Sequence, residues 1–199
     1  MVYKIAIAKK FRQPYTQKLW ERVCDINMNT LQWMEVYKVN ACDVKYKKFA
    51  EFKFKILHDI LPSRVKISKW QKEIPPNCEY CNETENTAHM LFYCKRVSDI
   101  WKCLNAVLQV DIKIKHIIFG FNCNYNTGAI RHLCIVIVSC AIFATWCKCS
   151  LEKSNYAHVN LKSEIKQQLC FYLNVFKYIL AGKQKNHFIH IVKNIISQL

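Results

Sequence analysis

Between Pro75 and Arg96 the chain reads PPNCEYCNETENTAHMLFYCKR, and four of these residues carry ligand chemistry: Cys78, Cys81, His89 and Cys94. Their spacing is Cys-x2-Cys-x7-His-x4-Cys. Two residues between the first cysteines allow a tight turn that directs both sulfurs at one point. Zinc takes four tetrahedral ligands of thiolate sulfur and imidazole nitrogen, and three cysteines with one histidine is a structural set. His89 and Cys94 arrive on the next short element and close the shell. The intervening NETENTA is polar and has no core of its own to hold it, so a metal would supply the missing order, and its binding energy would count toward folding.

Other readings of the same cysteines stand beside this one. A Cys78–Cys81 redox disulfide calls for a thioredoxin-like βαβ context, which the sequence lacks. A structural disulfide belongs to an oxidising compartment. Scattered core cysteines do not account for a polar setting bounded by Pro75 and Pro76. Cys103 could stand in for Cys94, but it falls nine residues further on, within the pattern of the helix that carries Trp101. The spacing favours one closed, structural Zn2+, because protein side chains fill all four positions. Elsewhere, Cys147 and Cys149 form a Cys-x-Cys pair without evident partners, His187 and His190 lie three apart on a helical pattern, and His58 sits on a Phe-rich helix. Incidental thiols, solvent-facing imidazoles and a half-buried ring are the expected roles.

The 199 residues include 30 Lys and Arg against 14 Asp and Glu, a net charge of +16. Such an excess suits a polyanion, either nucleic acid or an acidic membrane surface. The surplus is +10 over residues 1–72 and +6 over 73–199. Lys47 and Lys48, then Arg64, Lys66, Lys69 and Lys72, fall on neighbouring predicted helices with Tyr46 and Trp70 interleaved. That mixture suits phosphate contacts with base stacking, although solvated helix faces have the same composition. Twelve cysteines without a recognisable signal peptide are expected in a reduced, intracellular protein, nuclear or cytoplasmic. The apolar run Leu133–Trp146 is shorter than the roughly 20 residues of a membrane span, and a buried core helix is expected.

Apolar periodicity and the scarcity of Gly and Pro predict an all-α, mainly helical fold with a small zinc knuckle between two helical subdomains. The expected division is a basic helical segment over 1–72, the knuckle with its following helix over 73–108, and a helical subdomain over 109–199. Thr16 is the expected cap of a helix burying Leu19, Trp20 and Val23, and TLQWMEVY is expected to form one or two short turns. Phe49, Phe52, Ile56 and Ile60 share a face, which Phe54 leaves. Pro62 is expected to end that helix and Ser63 to cap the next, RVKISKWQK. Val97, Ile100, Trp101, Leu104 and Leu108 form a stripe. DIKIKHIIFGF is read as a turn of helix, with Asp111 a candidate cap, ending at Gly120. Further stripes run from Leu161 to Leu180, stopped by Gly182, and from Phe188 to Leu199.

In order and type, FKFKILHDILPSR, a tryptophan soon after it, Cys-x2-Cys, HMLFYC and a helix carrying IW resemble the zinc-binding region of reverse transcriptases from non-LTR (LINE-type) retrotransposons. The resemblance is most specific over residues 47–108. It implies that Cys78, Cys81, His89 and Cys94 hold the metal and that Pro62 and Arg64 match the family's step between helices. It further implies RNA or DNA as partner, with the polymerase domain of a parent element as a second. The paired-aspartate polymerase motif and the family's endonuclease are absent from the sequence, so a binding module without catalytic activity or small-molecule substrate is expected. The rival reading is a protein-interaction scaffold, or an inactive retrotransposon remnant, whose apolar helices after Ala129 pack on a missing polymerase domain.

Overall fold

The computed structural model describes residues 14–42, 47–120 and 128–152 and, beyond these, residues 163–167 with isolated positions from 170 to 197. Seven α-helices lie in the first three stretches: α1 (Tyr15–Cys24), α2 (Thr30–Cys42), α3 (Lys47–Leu57), α4 (Arg64–Ile67), α5 (Lys95–Leu108), α6 (Ile114–Phe119) and α7 (Gly128–Glu152). One turn of π-helix, His89–Tyr93, precedes α5. Among the described residues there is no strand, only an isolated bridge between Asn77 and Thr84. The expected all-α class is therefore what the described residues adopt.

Several local expectations are corrected. α1 starts at Tyr15 behind Pro14, not behind a Thr16 cap. The segment expected as short turns is the 13-residue α2. A reciprocal cap starts it: the Gln32 amide donates to Asn29 Oδ1 at 3.0 Å, and the Asn29 amide donates to Gln32 Oε1 at 2.8 Å. α3 stops at Leu57, ahead of Pro62. Asp59 takes the left-handed conformation at φ 50°, and the Asp59 and Ile60 amides reach back to the carbonyls of Ile56 and Lys55. This is a Schellman ending with aspartate where glycine is usual. It throws Ile60 out of phase: Ile60 is exposed, while Leu57 and Leu61 are buried. Phe54 is exposed, as its departure from the apolar face implied. Ser63 precedes α4 but makes no side-chain cap. α6 ends at Gly120, as expected, but its cap is Lys113, whose amide donates to His116 Nδ1. Asp111 instead pairs with Lys113 Nζ at 3.1 Å.

The core is organised around α7. All eleven residues from 135 to 145 are buried, so this middle part of the helix is covered on every side. It packs against α3, α5 and the π turn. Phe143 meets Phe49 and Phe52 at 5.6 and 5.2 Å between ring centroids. Within the stretch that the scaffold reading concerns, residues 135–145 are enclosed by the chain's own helices. No helix among the described residues is long and apolar enough to cross a membrane. Trp20 and Trp101 fasten helices to the core by donating buried indole hydrogen bonds to the carbonyls of Leu57 (2.9 Å) and Leu91 (3.2 Å). The α5 stripe is buried at Val97, Ile100, Trp101 and Leu104, with Leu108 half-buried. The stripes expected after residue 160 lie almost wholly outside the described residues; Ile165, within them, is fully buried.

Candidate metal centre

The first ligand pair sits on a narrow reversal of the chain. The Glu85 amide donates to Pro76 O and the Cys78 amide to Glu83 O, at 2.9 and 2.7 Å, on either side of the Asn77–Thr84 bridge. Asn82 closes the turn at φ 60°, its amide donating to Cys78 O at 2.8 Å. Asparagine tolerates this left-handed conformation better than most residues. The turn brings Cys78 and Cys81 round to one side.

The second pair depends on the π turn. In an α-helix, residues five apart diverge by about 140° at 3.6 residues per turn. Here the Cys94 amide donates to His89 O at 2.9 Å, closing a wider turn over five residues. Cys94 then leaves helical geometry at φ −61°, ψ 133° and becomes the residue preceding α5. His89 is in turn fixed by its own amide, which donates to Asn86 Oδ1 at 2.8 Å. A His-x4-Cys spacing can converge because the helix is locally unwound, as π turns at functional sites commonly are.

The four ligand atoms converge, all lying within 4.8 Å of one another. Cys78 Sγ to Cys94 Sγ is 3.8 Å, Cys81 Sγ to Cys94 Sγ is 4.0 Å, and Cys81 Sγ to His89 Nε2 is 3.3 Å. With Zn–S near 2.3 Å and Zn–N near 2.05 Å, a tetrahedral site has edges of about 3.8 Å between sulfurs and about 3.6 Å between sulfur and nitrogen. These three separations lie close to that shell, and the remaining pairs reach no further than 4.8 Å. They are far longer than the ~2 Å of a disulfide, and all three thiols are free. Cys103 is outside the group.

Electrostatics inside the cluster is uneven. Burial pushes the Cys94 thiol up to about 12. Burial also works to raise Cys81, but the backbone amide of Glu83, the Cys78 and Cys94 side chains and the backbone amide of Lys95 together pull it below its ordinary value. Burial lowers His89, against the opposing fields of Glu85 and Glu83, which favours the neutral imidazole that a metal requires. Three neighbouring thiolates are stable together only around a cation, and a bound divalent ion deprotonates a coordinating thiol outright.

Two polar residues of the loop before His89 turn inward: Glu85 and Thr87 are each 3% exposed. The Glu85 carboxylate accepts from the Arg64 amide at 3.1 Å, and its carbonyl accepts from the Val65 amide at 3.2 Å. Glu85 thereby caps α4 in place of Ser63. The Arg64 guanidinium, buried, pairs with the Glu79 carboxylate. Lys66 Nζ donates to Asp59 Oδ1 at 2.7 Å, Leu61 O at 3.0 Å and Thr87 Oγ1 at 3.1 Å, and also contacts Asp59 O. Thr87 Oγ1 donates to Asp59 Oδ1 at 2.6 Å.

The six basic residues singled out by sequence therefore separate. Arg64 and Lys66 face inward. Lys47, Lys69 and Lys72 are exposed, as is Trp70 at 80% exposure. Lys48 is exposed, with its ammonium 4.3 Å from the Phe143 ring centroid. Tyr46 lies outside the described residues. His58 is half-buried between the rings of Phe54 and Tyr37, and His190 is exposed. Cys147 is half-buried, while His187 and the Cys149 side chain lie outside the described residues. Asp59, Glu79, Glu85 and Thr87 were missed by sequence reasoning. Their partners lie 7 to 28 positions away, beyond any local pattern.

Against known proteins, the family profile described as zinc-binding in reverse transcriptase matches residues 2–101, a stretch that contains all four candidate ligands. No curated protein and no solved structure matches the chain.

Proposed function

This chain belongs to the zinc-binding family of reverse transcriptases, and from that membership we propose that it is a zinc-containing module that binds RNA or DNA without itself catalysing a reaction. The convergence of Cys78, Cys81, His89 and Cys94 within 4.8 Å carries the reading. These residues would hold one Zn2+, whose contribution is structural: the four protein ligands leave no coordination position for water or substrate.

The nucleic-acid part of the proposal is supported by the +16 charge and by exposed Lys47, Lys69 and Lys72 with Trp70 among them. Lysines would neutralise phosphates, and the indole offers a face on which a base can stack. The polymerase domain of a parent element is a further partner on this reading, and a reduced compartment inside the cell follows from a thiolate-bound metal.

The test is elemental mass spectrometry of the purified chain together with binding to RNA and DNA across a salt series. One zinc per chain and an affinity that falls steeply with salt are expected. Absence of zinc under reducing conditions would overturn the metal site. Zinc without salt-dependent binding would overturn the nucleic-acid role.

A further inference from the structure

One turn of helix, α4, touches both halves of the candidate metal centre. From its first residue, the Arg64 guanidinium reaches Glu79, which lies next to Cys78 in the first ligand pair. From its third residue, the Lys66 ammonium reaches Thr87, two positions before His89 in the second pair. α4 is in turn held by the loop that joins the pairs, since Glu85 receives the amides of Arg64 and Val65. Asp59 completes the assembly from the end of α3, accepting from both Lys66 and Thr87.

A four-residue helix has too few internal hydrogen bonds to be stable alone, so these contacts define where α4 sits. Arg64, Lys66 and Asp59 are sheltered, with side chains 9%, 22% and 18% exposed, while Glu79, at 72%, meets Arg64 from the surface. Charges placed there need partners, and each has one. Links between two fully solvated side chains would leave the two ligand pairs free to drift apart. Links that start from the sheltered side chains of one short element, itself pinned by Glu85, fix their separation.

We infer that α4 is a bracket that sets the spacing between the Cys78–Cys81 pair and the His89–Cys94 pair, with Arg64 and Lys66 as positioning residues for a bound divalent metal. The inference rests on the metal reading above and deepens it. Neither residue contacts the metal. Their effect is to hold the four donor atoms near a tetrahedral arrangement before the ion arrives, as supporting contacts behind metal ligands do elsewhere.

The experiment uses the full chain and compares wild type with Lys66→Met, Arg64→Met and the near-isosteric Thr87→Val. Zn2+ affinity is measured by chelator competition, and the Co2+-substituted forms are compared by visible absorption. Trp33→Phe is the control: it removes the indole hydrogen bond to Glu21 on α1 and alters stability away from the bracket. Metal affinity is expected to fall about 10- to 100-fold in the bracket variants, with Co2+ spectra shifted from the tetrahedral pattern, and to be unchanged in the control. Thr87→Val keeps the test open should the charge deletions fail to fold. Affinities and spectra that match wild type, or that shift no more than in Trp33→Phe, overturn the bracket. Failure of wild type to take up metal overturns the underlying metal reading instead.

Discussion

Lys66 and Lys69 stand three residues apart, and replacing each with methionine is expected to give opposite results. Met keeps most of the aliphatic stem and removes only the ammonium. At Lys66 this removes the ammonium from Asp59 Oδ1, Leu61 O and Thr87 Oγ1, which accept from Nζ at 3.1 Å or less, and leaves Asp59 with Thr87 and Leu61 O with the Ser63 amide as remaining donors. Breaking a buried ion pair costs about 3–5 kcal/mol. Here the paired side chains remain about a fifth exposed, so returning water recovers part of that loss, and about 2–4 kcal/mol is expected. With a urea m-value of about 2 kcal/mol/M, the midpoint of the zinc-loaded chain should fall by about 1–2 M. Lys69 is exposed, and Lys69→Met should move the midpoint by no more than about 0.25 M, the equivalent of about 0.5 kcal/mol. Nucleic-acid binding should show the reverse. Lys69→Met should make the slope of log K against log salt shallower by about 0.7–0.9, one phosphate contact; Lys66→Met, measured where the chain is fully folded, should leave it unchanged. Equal midpoints for the two variants would refute the structural role assigned to Lys66. A slope altered only by Lys66→Met would refute the placement of the binding face.

Three further outcomes follow from particular contacts. Cys78→Ser should release the zinc and, with it, amide hydrogen-exchange protection over residues 76–94, whereas Cys103→Ser, outside the cluster, should retain both. Trp20→Phe leaves the Leu57 carbonyl without its buried indole donor and should lower stability by about 1–3 kcal/mol in urea unfolding, with metal stoichiometry unchanged. Gln109→Gly should stabilise the chain by about 0.5–1 kcal/mol, read as a higher melting temperature, because Gln109 is exposed and ends α5 at φ 51°, where glycine has no Cβ penalty.

The ligand set and most of the helices were legible because their signals are local. Cys78, Cys81, His89 and Cys94 lie within seventeen residues, and residue type alone restricts what such a group can bind. The α5 stripe repeats at helical spacing, and that periodicity is the burial pattern itself. Where local rules compete, the sequence was a poorer guide. Pro62 and Ser63 looked like the boundary between α3 and α4, but the chain turns earlier, at Asp59, and Glu85 supplies the cap from 21 positions away.

By itself, then, the sequence determined an all-α chain with a Cys3His cluster and a strongly basic charge, since composition, periodicity and short spacing are properties of neighbours along the chain. Tertiary structure alone decided which charges turn inward. Lys66 and Lys69 are the same residue type on the same short segment, yet only Lys66 meets Asp59 and Thr87, because only its side chain falls where the end of α3 and the loop before His89 come together. A lysine's tendency to stay in water is overcome at such a place by oxygen acceptors held in position by the fold, and those acceptors come from parts of the chain that no local pattern connects.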